Sequence, residues 1–143
     1  MPIKKELKGF YPIDWTELSR AIRFGRAKGR CEVCGRPHGQ VISHLGDGRW
    51  FDPDQETWRD GEGRAVDWVD FTDYQGQLRR TRIVLATAHL DHDPTNNRAG
   101  NLKALCQRCH LFHDRKEHRR RRRVTYRKRR ALGDLFEGPY PRW

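Results

Sequence analysis

The 143-residue chain has few apolar residues, because only 35% of its residues are hydrophobic and 34% are charged. It lacks an apolar run long enough to cross a bilayer, and the segment MPIKKELKGF lacks the apolar centre of a signal peptide. We therefore expect a soluble, cytoplasmic protein without a membrane partner. A chain of this length suits one compact domain with a modest core, which benefits from an additional cross-link such as a bound metal.

Cysteine is also scarce, and its four copies form two C-x-x-C pairs, Cys31 with Cys34 and Cys106 with Cys109. Disulfides are not expected in a chain without an export signal. A redox C-x-x-C motif would not explain two copies. Two such pairs indicate zinc, because each supplies two thiolates to one tetrahedral ion. We predict one structural Zn²⁺ bound by all four cysteines, with a separately folded segment between the pairs.

Acidic residues are in the minority, with 19 Asp and Glu against 30 Lys and Arg, and the net charge is +11. The segment 47–73 nevertheless carries nine acidic residues against three arginines, whereas 115–130 carries eleven basic residues against one glutamate. A strongly basic chain needs a polyanionic partner, most commonly nucleic acid. We predict that DNA phosphates are bound by Arg119, Arg120, Arg121, Arg122, Arg123, Arg127, Lys128, Arg129 and Arg130.

The amino-terminal segment DWTELSRAIRFGRAKGR predicts a short helix. Trp15, Leu18 and Ile22 recur at helical spacing and would form an apolar stripe. Asp14 or Thr16 could cap the helix start, because both residue types accept hydrogen bonds from free backbone amides there.

Further along, QVISHL predicts a short strand, and DGEG predicts a hairpin turn within an acidic stretch that otherwise reads as loop. Trp50, Trp58 and Trp68 in that stretch are predicted to pack in a small core rather than to stack on bases. The β-branched run RRTRIVLATAHLD, at 79–91, predicts the clearest strand in the chain. Helical composition without proline or glycine predicts one long helix over 102–132.

The stretch AHLDHDPTNNRAGNLKALCQRCHLFHD, at 88–114, resembles the HNH endonuclease family. The matching residues are His89, Asn101 and His110, in that order, and both C-x-x-C pairs match the members that hold their fold with a structural zinc. The resemblance covers 31–118. It implies an α+β fold: a small ββα-metal core with a structural zinc, here with an amino-terminal helix and a long basic carboxy-terminal helix.

The resemblance also implies roles for these residues. His89 would be the general base that activates water, because imidazole accepts a proton near neutral pH. Asn101 would orient the base or the metal, since an amide donates and accepts hydrogen bonds without titrating. His110 would be a ligand of a catalytic Mg²⁺ or Mn²⁺, which stabilises the leaving oxygen of a DNA phosphodiester.

The sequence departs from the family at one position, because many members carry a metal-binding aspartate where this chain has Ala88. Asp91 could supply the missing carboxylate, since residues two apart on an extended strand point to the same face. Alternatively the register shifts, with Asp91 as the ligand and His92 as the base, or His92 is an auxiliary ligand of the catalytic ion. The spacing to Asn101 favours His89. A third possibility is an impaired site that only binds DNA.

These patterns predict an amino-terminal helical segment at 1–30, a zinc-stapled nuclease domain at 31–118 with an acidic insertion at 45–75, and an arginine-rich extension at 119–143. The function expected from the resemblance is metal-dependent hydrolysis of DNA. The alternatives are a catalytically impaired DNA-binding module, and a nuclease subunit directed to its target by a partner protein or guide complex, with the acidic insertion as its docking surface.

Overall fold

The computed structural model of the protein describes residue 3, residues 5–72 and residues 74–130. The chain separates into two compact units, Met1–His110 and Leu111–Trp143. The first unit holds two antiparallel sheets and the amino-terminal helices, and the last helix, α2 (Gln107–Arg130), begins in the first unit and continues into the second. The predicted α+β class is thus confirmed.

The amino-terminal segment forms a 3₁₀-helix at Lys5–Phe10 and then α1 at Trp15–Arg20, which continues without a break as a π-helical segment, Ala21–Arg26. The predicted apolar stripe is present, because Ile22 is buried and packs with Trp15 and Leu18 in one hydrophobic cluster. Asp14 stands at the N-cap position but makes no side-chain capping hydrogen bond.

Five short antiparallel strands form the larger sheet, in the spatial order β4-β3-β2-β1-β5. Their bounds are β1 Val41–His44, β2 Trp50–Asp52, β3 Thr57–Arg59, β4 Ala65–Val66 and β5 Arg79–Arg82. The strand predicted from QVISHL is confirmed as β1, and the hairpin at DGEG as the turn between β3 and β4. The acidic stretch is mostly loop, as predicted, but the three short strands β2, β3 and β4 lie within it and only the hairpin of β3 and β4 was predicted.

The smaller sheet pairs β6 (Ala86–His89) with β7 (Leu102–Leu105), and His89 lies opposite Leu102. The single strand predicted over 79–91 is therefore two strands in different sheets. The helix predicted from 102 begins only at 107. Pairing with β6 overrides the helical composition of Leu102–Leu105, because this short segment buries three of its four residues as a strand.

The tryptophans of the acidic stretch differ in their surroundings. Trp50 and Trp58 are buried, as predicted, whereas Trp68 is 69% exposed and the prediction that it packs in a core is wrong. The main hydrophobic cluster instead forms around the four cysteines, where Ile42, Trp50, Ile83 and Leu85 pack against them. Among the residues that the structure describes, no helix combines the length and the apolar character needed to cross a membrane.

The buried carboxylate of Asp52, on β2, links the larger sheet to Arg30, which directly precedes Cys31. Asp52 is fully buried and accepts hydrogen bonds from Arg59 Nε at 2.9 Å and from Arg30 Nη1 at 3.4 Å. Burial alone would raise the pKa of Asp52, but the Arg59 hydrogen bond and the charge of Arg30 outweigh it and leave the pKa below its ordinary value of 3.8. The stabilisation is therefore present above about pH 4 and is lost as the pH falls through the lowered pKa.

We expect Asp52→Asn to lower the free energy of unfolding by about 3 kcal/mol, because it removes one partner of a buried ion pair. Chemical denaturation at neutral pH measures this loss. Asp54→Asn is the matched control, since Asp54 contacts the same Arg30 but its side chain is 48% exposed, and it should cost less than about 1 kcal/mol. Equal losses for the two variants would contradict the role assigned to Asp52.

Candidate functional site

The four cysteines predicted to bind zinc come together in one buried cluster. Their Sγ atoms all lie within 4.8 Å of one another, and the Sγ atoms of Cys34 and Cys106 are 3.6 Å apart. No disulfide joins them. Four sulfurs bound to one tetrahedral zinc at about 2.3 Å would be separated by about 3.8 Å. The arrangement therefore fits a structural metal ion such as zinc.

Backbone contacts hold the cysteine pairs in register. The first pair lies in a tight turn, where Gly35 N donates to Cys31 O at 2.9 Å and Gly35 has a φ of 77°, which glycine adopts without strain. The second pair spans the end of β7 and the first turn of α2. Cys106 N donates to Cys31 Sγ at 3.4 Å, so the two pairs contact each other directly.

The thiols in this cluster depend on one another for their ionisation. Cys31 and Cys106 accept hydrogen bonds from neighbouring thiols, which lowers the pKa of both. Cys34 and Cys109 donate to Cys106 and Cys31, which raises the pKa of both donors. Four buried thiolates repel one another unless a cation lies between them. A divalent ion would remove this conflict, because it favours the thiolate form of all four ligands.

A buried arginine contacts the sulfur cluster. Arg36 is only 3% exposed, and its guanidinium donates to Cys34 Sγ at 3.4 Å and to Gly48 O at 3.0 Å. It also lies 5.5 Å from the ring centroid of Trp50. A zinc ion with four thiolates carries a net charge of −2, so a guanidinium in direct contact stabilises the loaded site.

His89 lies at the end of β6 and is only 8% exposed. Its Nε2 is 2.9 Å from Asn97 Oδ1. The imidazole stacks on Trp15, with ring centroids 5.0 Å apart and an interplanar angle of 16°, and Tyr11 contacts it edge-on at 5.7 Å. Burial raises the pKa of Tyr11. The ring of His89 is thus fixed by two aromatic side chains and one amide.

The turn after β6 is organised by Asp91 and Asn101. Asn101 Nδ2 donates to Asp91 Oδ1 at 2.8 Å, Asn101 Oδ1 accepts from Asp91 N at 3.1 Å, and Asn96 Nδ2 donates to Asp91 Oδ2 at 2.6 Å. These donors, the Asn96 amide first, lower the pKa of Asp91 to about 2. The carboxylate is therefore ionised at neutral pH, and it closes the loop that leads back to β7.

The other predicted site residues lie around this loop. His92 stands in the turn itself, with a left-handed φ of 61°. His110 lies in the first turn of α2, directly after Cys109 of the cysteine cluster, and its backbone N donates to Cys106 O at 2.9 Å. Ala88 is buried in the same cluster as the cysteines, so the position before His89 faces packed side chains rather than solvent.

The described part of the second unit, 111–130, is a helix whose basic side chains are exposed. All nine residues predicted to bind phosphate lie on it and are solvent-exposed. Glu117 accepts hydrogen bonds from Arg120 and Arg121, which lower its pKa to about 2. Two of these arginines thus share one carboxylate within the helix, and the local charge remains strongly positive.

Three residues that fix His89 were not predicted from the sequence. Trp15 was assigned only to the apolar stripe of α1, and Tyr11 and Asn97 were given no role. The Asn-Asn pair in the motif was the available signal for Asn97. No family model, no curated protein and no solved structure matches this chain.

We expect metal analysis of the purified protein to find about one zinc per chain. A strong chelator should remove it and unfold the first unit, because the cysteines lie at the centre of the main hydrophobic cluster. Circular dichroism during chelation measures both the loss and its reversal by added zinc. Oxidised cysteines without zinc in a folded protein would contradict this assignment.

Arg36→Met should speed zinc transfer to a chromogenic chelator roughly tenfold, because it removes a charged hydrogen bond to a thiolate. Arg23→Met is the matched control: Arg23 also donates to backbone carbonyls, of Ser19 at 3.3 Å and of Leu85 at 3.5 Å, and among the described residues no hydrogen bond joins it to a sulfur. Equal zinc release by both variants would show that Arg36 acts only by holding the backbone.

Proposed function

We propose that the protein is a metal-dependent HNH-type endonuclease that hydrolyses DNA phosphodiester bonds. The observation that carries the proposal is the setting of His89, nearly buried at the end of β6 with Nε2 against the Asn97 amide oxygen. The order of elements supports it, because β6 and β7 form an antiparallel pair and α2 follows directly. The cysteine cluster holds the start of that helix.

The contacts of His89 suit a general base. Asn97 Oδ1 lies 2.9 Å from Nε2 and accepts hydrogen bonds, so this contact can orient the imidazole for proton transfer. The stacked Trp15 ring, 5.0 Å away between centroids, also fixes the orientation of the imidazole. His89 has the buried, oriented setting of a base, which supports it over His92 in the exposed turn.

Asp91 and His110 are the candidate ligands of the catalytic cation. Asp91 is ionised, and its Oδ2 accepts one hydrogen bond from Asn96, which leaves that oxygen able to bind an ion. When bound, Mg²⁺ or Mn²⁺ would neutralise charge on the scissile phosphate and on the leaving oxygen. Asn101 acts as a positioning residue, because both ends of its amide hold Asp91.

The exposed basic helix of the second unit supplies nonspecific affinity for DNA. Guanidinium groups bind phosphate oxygens in pairs and displace counterions, so the binding falls as the salt concentration rises. No motif in the chain indicates recognition of a particular base sequence. We therefore propose that the protein binds the DNA backbone, and that any choice of site comes from a separate targeting protein or guide complex.

Nicking of supercoiled plasmid with Mg²⁺ or Mn²⁺ tests the proposed function. We expect the wild type to nick, and His89→Ala to lose roughly 10²- to 10⁴-fold in rate through loss of the base. Asn97→Ala should lose less, because the imidazole remains but is oriented less well. His44→Ala is the matched control, since His44 lies on β1 and its side chain hydrogen-bonds to Thr81, and it should nick normally.

Two other outcomes would replace the proposal. Activity retained in His89→Ala but lost in His92→Ala would transfer the base to His92. Wild-type protein that binds DNA yet never nicks with any divalent metal would establish a catalytically impaired binding module. Each variant should first be shown to retain zinc and its melting temperature, so that loss of activity is not loss of fold.

A further inference from the structure

Strand β5 forms one edge of the five-stranded sheet and carries three arginines within four residues, Arg79, Arg80 and Arg82. All of its residues are solvent-exposed. This strand lies in the first unit and was not among the residues predicted to bind phosphate. Its sequence, RRTR, has no apolar residue to bury, so packing alone does not explain its composition.

The arginines of β5 differ from several other arginines of the first unit in having no carboxylate partner among the described residues. Five others in the first unit each contact a carboxylate: Arg26, Arg30, Arg49, Arg59 and Arg64. Among the residues that the structure describes, no carboxylate lies within salt-bridge distance of an arginine on β5. Within the described part of the chain their charge is therefore not offset by a contacting carboxylate, although the loops between the strands of the same sheet carry acidic residues such as Asp47, Asp54 and Asp60.

Pairing with β1 presents two of the three guanidinium groups together. Arg80 lies opposite Ser43 and Arg82 opposite Val41, so these four residues share one face of the sheet, and Val41 is 49% exposed. Residues two apart on a strand are separated by about 6.6 Å. On the other face, Thr81 hydrogen-bonds His44.

The backbone of β5 pairs with β1, and the side chain of Gln107 holds its carboxy-terminal end. Gln107 Nε2 donates to Arg82 O at 2.9 Å, and Gln107 Oε1 accepts from Val84 N at 3.2 Å. The strand is thus a fixed platform on which only the arginine side chains must be ordered during binding. A preorganised platform lowers the entropic cost of binding an extended ligand.

We propose that the β5 edge of the sheet is a second phosphate-binding surface, which contacts the backbone of nucleic acid through Arg80 and Arg82. This proposal rests on the proposed function in one respect, because it takes the ligand to be DNA. Two guanidinium groups on one face, on residues about 6.6 Å apart and without a carboxylate partner among the described residues, complement neighbouring phosphates of one DNA strand.

The test compares two double variants of the full zinc-loaded chain for binding to a fluorescent DNA duplex, at several salt concentrations, with no added divalent ion and no chelator. Arg80→Gln with Arg82→Gln should weaken binding roughly ten- to fiftyfold near 0.1 M salt and reduce the salt slope by about two. Arg49→Gln with Arg64→Gln is the matched control: it removes the same charge from arginines that already contact Asp47 and Asp60. It should change affinity less than threefold.

Each of the following three results would overturn the proposal. Equal losses in both variants would show an effect of net charge only. Unchanged DNA binding with increased self-association of the β5 variant would show that the arginines merely protect a sheet edge from pairing. Loss of binding to phosphatidylserine vesicles or to an acidic protein, with DNA binding intact, would assign the surface to that partner instead.

The two proposals fail separately. A chain that binds DNA through β5 but never nicks plasmid would overturn the proposed endonuclease and leave the β5 surface standing. A chain that nicks, and whose β5 variant binds and nicks like the wild type, would overturn only the β5 surface.

Discussion

The contact between the two cysteine pairs is the constraint on which the first unit depends. It joins the turn at Cys31–Cys34 to the junction of β7 and α2, and the main hydrophobic cluster forms around the sulfurs. With only 35% hydrophobic residues, the chain has little other means of holding these segments together. Arg36 and Asp52 extend the same arrangement, since one contacts a sulfur and the other holds Arg30 beside the turn.

The sequence was sufficient to predict features that follow from local chemistry. The C-x-x-C spacing predicts a shared metal site because thiolates need a cation, and the spacing of Trp15, Leu18 and Ile22 predicts α1 because burial follows helical periodicity. Features that depend on tertiary pairing could not be predicted. The run at 79–91 reads as one strand, yet β5 and β6 join different sheets, because the buried Ile83 and Leu85 carry the chain from one to the other.

The candidate site likewise contains residues that the sequence predicts and contacts that depend on the tertiary fold. His89, Asn101 and Asp91 could be selected from the motif, but the side chains that contact His89 could not. Asn97 reaches the imidazole only through the turn after β6, and Trp15 reaches it from a separate helix. Trp68 is the opposite case: a large apolar residue normally predicts a core, whereas here the smaller cluster around Trp58 forms without burying it.

The geometry couples the proposed catalytic loop to the cysteine cluster through one short strand. Asn101 immediately precedes β7 and Cys106 immediately follows it, so four residues separate the amide that holds Asp91 from a sulfur of the cluster. His89 pairs with Leu102 in that strand. A shift of β7 by one residue would turn its side chains to the opposite face and move Asn101 away from Asp91. The cysteines therefore do more than stabilise the fold: by holding the end of β7, they hold the register on which the position of His89 depends.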